Sequence, residues 1–318
     1  MTRNLNAKRI YGLTVRQWST LLIVTLALIL FGCRFFYNII RNQFAPADQS
    51  NNQSAPGSND DSRQKGSPRS SGDYTVAEAT AHYLKLGNPT AANQNDPNNF
   101  LMVNSAYALS YNRQRATANW VAWTVTPNDL GDAARSNDFR PDDRLPNDWL
   151  HVAPNDYTAS GFDRGHLCPS ADRSNAPENN SATFLMTNIT PQTPDLNRGV
   201  WERLESYSRD LVKQGNELYI VSGVYGNAGK IKNKIVIPTN FWKVIVVLPN
   251  NFNDDLSKIN SNTRVIAVDM PNINGVKNDD WHKYRVPVRE IEQRANVNLF
   301  SNVSSNVQNV FKTRQDSQ

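Results

Sequence analysis

Apolar and polar positions fall into three regimes along this chain. From Trp18 to Gly32 the residues are apolar except for Ser19, Thr20 and Thr25, and a basic stretch precedes them. That run is short for a spanning helix, but Phe35, Phe36, Tyr37, Ile39 and Ile40 extend it past Arg34. The pattern predicts a signal or membrane anchor over residues 1–44, with an uncleaved anchor favoured, although Leu30-Phe31-Gly32-Cys33 also looks like a bacterial lipoprotein cleavage site. Residues 45–73 are rich in Asn, Ser, Asp, Gln, Pro and Gly with almost no apolar content. They cannot build a core, so residues 45–75 are expected to form a disordered linker and residues 76–318 the folded domain.

In that last region the pattern becomes that of a sheet protein. Phe100–Tyr111, Asn119–Val125, Glu217–Val224, Lys234–Ile237, Phe241–Leu248 and Arg264–Asp269 are short Val/Ile-rich segments that predict strands. Val200, Leu204, Tyr207 and Leu211 recur every three or four residues, predicting an amphipathic helix from about Arg198 to Gln214. Val286–Arg294 reads as a short helix. No internal repeat is visible, and the expected fold class is α+β around a largely antiparallel sheet.

Composition supports one such domain, since 318 residues with 39% hydrophobic content can bury a substantial core. Charge changes the picture more. The formal charge is +5, but residues 1–46 hold Arg3, Lys8, Arg9, Arg16, Arg34 and Arg41 with no acid. Subtracting those six leaves −1 for the remainder, so any polyanion must be held by a local cluster of arginines.

The chemistry is concentrated between Asp163 and Arg209. Asp163-Arg164-Gly165-His166 is followed by Thr187-Asn188-Ile189-Thr190-Pro191-Gln192 and then by Leu196-Asn197-Arg198-Gly199-Val200-Trp201-Glu202-Arg203-Leu204-Glu205. A phosphodiester repels hydroxide, so its hydrolysis needs charge neutralisation by a cation and arginines, and a base that works near neutral pH. His166 is the candidate base. Asn197 can hold a hard cation, yet asparagine is also a favoured helix N-cap. Asn197, Trp201, Glu205 and Arg209 step by four along the predicted helix, and Glu205 and Arg209 have the spacing of an ordinary helical ion pair.

Together these segments resemble the sugar-non-specific DNA/RNA endonucleases with a ββα-metal site, the cyanobacterial members foremost and the mitochondrial endonuclease G group at the same motifs. Ala118-Asn119-Trp120-Val121-Ala122-Trp123, Asn137-Asp138-Phe139-Arg140-Pro141-Asp142 and Pro169-Ser170-Ala171-Asp172-Arg173 carry the likeness further, over roughly residues 76 to 305. The resemblance implies a ββα-metal finger packed on the sheet. It further implies that His166 activates water and that Asn197 is the single protein ligand of Mg2+ or Mn2+, with Glu205 orienting the ion's hydration shell. Arg164, Arg209 and Arg135 would stabilise charge on the phosphate, Arg140 competing with Arg135 for that role. Asn188 and Gln192 would support the site, and Asp163 would shape the turn.

The pattern is broken at Cys168, where a small residue such as alanine is expected. Two residues from His166 in an extended segment, its thiol faces the same side as the histidine. A His-x-Cys zinc pair is rejected because Cys33, His82, His151 and His282 are scattered, so Cys168 is expected to be a buried small residue. The expected activity is exported, metal-dependent endonucleolytic cleavage of DNA and RNA outside the cytoplasm. A cell-surface nucleic-acid-binding protein with little cleavage is the alternative. DNA and RNA are the expected partners, with the membrane through the N-terminal segment and, by resemblance, a dedicated protein inhibitor.

Overall fold

The computed structural model describes residues 75–253 and 255–318. The signal or anchor expected over residues 1–44 and nearly all of the linker expected over 45–75 lie outside these residues. Among the described residues no helix is long and apolar enough to cross a membrane.

The chain enters through helix α1 (Val76–Tyr83), whose first turn is closed by a capping box between Thr75 and Glu78. Six strands follow in one antiparallel sheet: β1 (Phe100–Val103), β2 (Ala108–Asn112), β3 (Thr117–Val125), β6 (Asn216–Tyr225), β9 (Asn240–Pro249) and β10 (Arg264–Pro271), in the spatial order β1-β2-β3-β6-β9-β10. The fold is therefore α+β, as the Val/Ile-rich segments predict. The single segment expected at Phe100–Tyr111 is instead a hairpin. Asn104 Oδ1 accepts the backbone N–H of Ala106 and of Tyr107 and turns the chain between β1 and β2.

Central strands β6 and β9 are buried on both faces, so their side chains feed two cores. Leu218, Ile220, Phe241 and Ile245 pack with Trp123, Trp201, Leu204 and Leu211 on one side. Tyr219, Val221, Trp242 and Val244 pack with Ile291, Phe300 and Phe311 on the other. The second core is roofed by α4 (Val288–Ala295) and α5 (Ser305–Phe311). The first is covered by α3 (Glu202–Lys213) and by a two-stranded finger of β4 (Asp163–His166) and β5 (Ile189–Gln192). A short helix α2 (Pro177–Ala182) lies in the connection between those strands, and a small hairpin, β7 (Lys230–Ile231) and β8 (Ile235–Val236), completes the fold. All the candidate chemistry is on the α3 side of the sheet.

Candidate active site

The finger is held tightly. β4 and β5 are antiparallel with Asp163 opposite Gln192 and His166 opposite Ile189, so Arg164 and His166 project from one face and Asp163 from the other. At Gly165 an added Cβ would lie 2.3 Å from Gln192 Oε1 and 2.6 Å from Gln192 Cβ, so only glycine lets the strands approach this closely. Behind the finger Asn188 is fully buried. It accepts the Cys168 N–H at 3.0 Å and donates to the carbonyls of Cys168 at 2.9 Å and Thr183 at 2.8 Å. Its amide is spent on backbone groups, so Asn188 sits behind the reacting cluster rather than in it. Cys168 is buried in the α3-side core, as expected, and burial pushes its thiol well above the usual range.

His166 is 8% exposed, with Nε2 buried and without a hydrogen-bond partner among the described residues. Its ring stands edge-on to Phe184, centroids 4.9 Å apart, and tilted against Phe139 at 5.5 Å. Burial and then the charges of Arg135 and Arg164 push its pKa down to about 3, so the ring is neutral at physiological pH.

Asn197 does not cap a helix. It lies in a wide turn, Leu196–Trp201, that precedes α3, and its N–H goes to the Thr193 carbonyl. Gly199 breaks the helical path there (φ −127°, ψ −111°), and a Cβ on it would lie 2.6 Å from the Lys277 carbonyl oxygen. The helix expected from about Arg198 therefore starts at Glu202. What aims Asn197 is Asp163, which accepts its Nδ2 at 2.8 Å and also takes Arg198 through Nε at 2.7 Å. With Nδ2 engaged, Oδ1 is left facing away from Asp163.

Glu205 and Arg209 do not pair with each other as their spacing suggests. Glu205 Oε1 accepts Lys243 Nζ at 3.2 Å, and Arg209 Nη1 binds Asp172 Oδ1 at 3.2 Å. Trp123 joins the two pairs: its indole N–H donates to Asp172 Oδ2 at 3.0 Å and its ring centroid lies 5.6 Å from Lys243 Nζ. Burial raises the Glu205 pKa, with Lys243 opposing and Asp172 adding to the shift. Lys243 stands inside a Val/Ile strand, where no local pattern marks it as part of the site. Asp172 was visible only as part of a familiar motif.

Arg135 lies between the groups, its guanidinium 4.8 Å from the Phe184 centroid and bonded to Ser170 Oγ and Asn137 Oδ1. Its charge acts on His166 and interacts with Glu205. Arg140, its competitor, is committed to Asp138 at 2.7 Å and to the Ser181 carbonyl. Arg164 lies over Phe139, 4.1 Å from the ring centroid. Arg135, Arg164, Asn197 and Arg198 line one groove of about 420 Å³, with Tyr157 on its wall.

The oxygen donors, the Asn197 amide oxygen and the Glu205 carboxylate eight residues further on, are of the kind that suits a hard divalent cation keeping most of its water. Among the described residues no group of three or more His, Cys, Asp or Glu comes together to enclose an ion. A buried histidine, an asparagine aimed by a carboxylate and several arginines, set on the two-stranded finger, on the turn before α3 and on a neighbouring loop, bring together the groups that phosphodiester hydrolysis needs. The chain belongs to the DNA/RNA non-specific endonuclease family, whose model matches residues 81–306. It is 49% identical to a nuclease of Nostoc sp. over 74% of this chain and 86% of that protein. It is 32% identical to a nuclease of Serratia marcescens over 75% and 90% of the two chains. A crystal structure of an EndoG/EndoGI complex shares the fold, with a TM-score of 0.61 at 22% identity over 73% of this chain and 95% of that one. The chain is thus a nuclease, a hydrolase of nucleic acid in a metal-dependent family, and the binding-only alternative falls away.

Proposed function

We propose that this nuclease cuts DNA and RNA endonucleolytically, with His166 as general base and Asn197 as the protein ligand of Mg2+ or Mn2+. The observation that carries the reading is the placement of His166: on the finger with Arg164 on the same strand face, walled by Phe139 and Phe184, with Nε2 buried. A proton on the sealed Nε2 leaves the Nδ1 lone pair to take one from water as its oxygen attacks phosphorus. The ester P–O bond then breaks, and the leaving oxygen is protonated from solvent. When bound, the cation supplies Lewis-acid neutralisation of the phosphate. Asn197, aimed by Asp163, holds it, and Glu205 orders its hydration shell. Arg164, which bonds to no other described residue, meets the charge that develops on the phosphoryl oxygens, with Arg135 and Arg209 flanking it. Asn188 and Gln192 keep the finger in register.

Residues 76–318 make up the catalytic domain in this reading, 45–75 the tether and 1–44 the export signal or anchor, which puts the domain outside the cytoplasm. The basic flank and apolar run of residues 1–44 support it. A protein inhibitor is a further partner class, supported by the inhibitor complex of the structural neighbour.

The test is incubation with supercoiled plasmid and with RNA, under Mg2+, Mn2+ or chelator, beside His166→Ala and Asn197→Ala. Loss of both polymers that needs metal and disappears in both variants is expected. Full activity in either variant would refute the roles given to that residue.

A further inference from the structure

Lys243 stands in the middle of β9 and is 1% exposed. Its neighbours across the sheet are Ser222 and Val268, so no charge lies beside it there. Its ammonium sits against two indole rings, 4.3 Å from the Trp201 centroid and 5.6 Å from that of Trp123, and its ion partner is Glu205 Oε1. Stability alone gives no reason for a lysine here, because apolar residues commonly replace buried ion pairs without loss. The arrangement does something an apolar residue would not. It occupies one oxygen of Glu205, while Oε2 accepts no hydrogen bond from another described residue.

We propose that Lys243 is a positioning residue for the divalent cation: the indole walls aim its ammonium at Glu205 Oε1, which locks the carboxylate so that Oε2 is presented to the ion's hydration shell beside Asn197. Trp123, fixed by Asp172, ties this aim to the Asp172–Arg209 pair. The inference rests on the reading of Asn197 and Glu205 as the cation site.

The test uses the full chain with Lys243→Met, Glu205→Gln and the double variant. Mn2+ binding is measured by calorimetry without nucleic acid, and kcat and KM are measured separately. Outer-shell groups of this kind are worth about ten- to a hundredfold in metal affinity or activity. Lys243→Met is expected to weaken Mn2+ binding and lower kcat by about tenfold or more, leaving KM for polymer unchanged. In the Glu205→Gln background it is expected to add nothing, since its effect passes through Glu205. Unchanged Mn2+ affinity in Lys243→Met overturns the proposal while leaving the cation site intact, as do independent effects in the double variant. A wild type that binds no Mn2+ overturns both readings. Should Lys243→Met fail to fold, the Nζ resonance of isotope-labelled Lys243 decides instead. Mg2+ must shift it in the wild type and not in Glu205→Gln, and a resonance indifferent to Mg2+ in the wild type overturns the proposal.

Discussion

Asn188→Ala separates a clamp from a catalytic group. The side chain makes three hydrogen bonds, to the N–H and carbonyl of Cys168 and to the carbonyl of Thr183, all in a fully buried place. At about 1 kcal/mol net each they sum to about 3 kcal/mol, and leaving the buried Cys168 groups unpaired adds roughly 1–2 kcal/mol. In a domain of this size about 4 kcal/mol lowers Tm by roughly 10 °C. Scanning calorimetry, with urea titration followed by far-UV circular dichroism, measures it. Asn188→Asp, which keeps the acceptor and sets a carboxylate against two carbonyls, should cost at least as much. Below the transition the activity per folded molecule should fall less than tenfold. A variant with wild-type Tm whose activity has dropped a hundredfold would refute the reasoning and put Asn188 among the reacting groups.

Three further outcomes follow from the same geometry. Folding lowers the His166 pKa from about 6.5 to about 3, so the unfolded chain takes the proton first as pH falls. The stability held by the neutral ring is complete above pH 6.5 and lost toward pH 3. Between pH 7 and 5 the wild type should lose about 2 kcal/mol more than His166→Gln in urea titrations, and equal losses would show that burial does not hold the ring neutral. Asp163→Asn releases Asn197, so half-saturation by Mg2+ should rise about tenfold with little change in Tm; an unaltered Mg2+ requirement would remove Asp163 from the site. Finally, if Arg135, Arg164 and Arg209 supply the phosphate contacts, log affinity of His166→Ala for duplex DNA should fall with log salt at a slope near −3, and a slope near −8 would mean a far wider basic surface.

The candidate segments stand out in the sequence because they are local: His166, Asn197 and Glu205 fall in order within one stretch, carried by the finger, the wide turn and the helix that follows it. The antiparallel sheet was legible because β6, β9 and β10 are continuous apolar runs. What failed was whatever depends on distant partners. The four-residue spacing of Glu205 and Arg209 suggests a mutual pair, but Lys243 and Asp172, 38 and 37 residues away, are nearer in space. The apolar run Phe100–Tyr111 hid a turn made by one Asn side chain. Helical periodicity has no sign for the wide turn at Asn197, because the contact between Gly199 and Lys277 that fixes it is tertiary.

Residues 75–318 hold 25 cations and 25 acids, so the fold itself is electrically neutral. Arg198 in the groove, and Arg209 and Arg140 outside it, are paired with Asp163, Asp172 and Asp138. Such a surface gives a polymer little to slide along, because sliding depends on a continuous positive field.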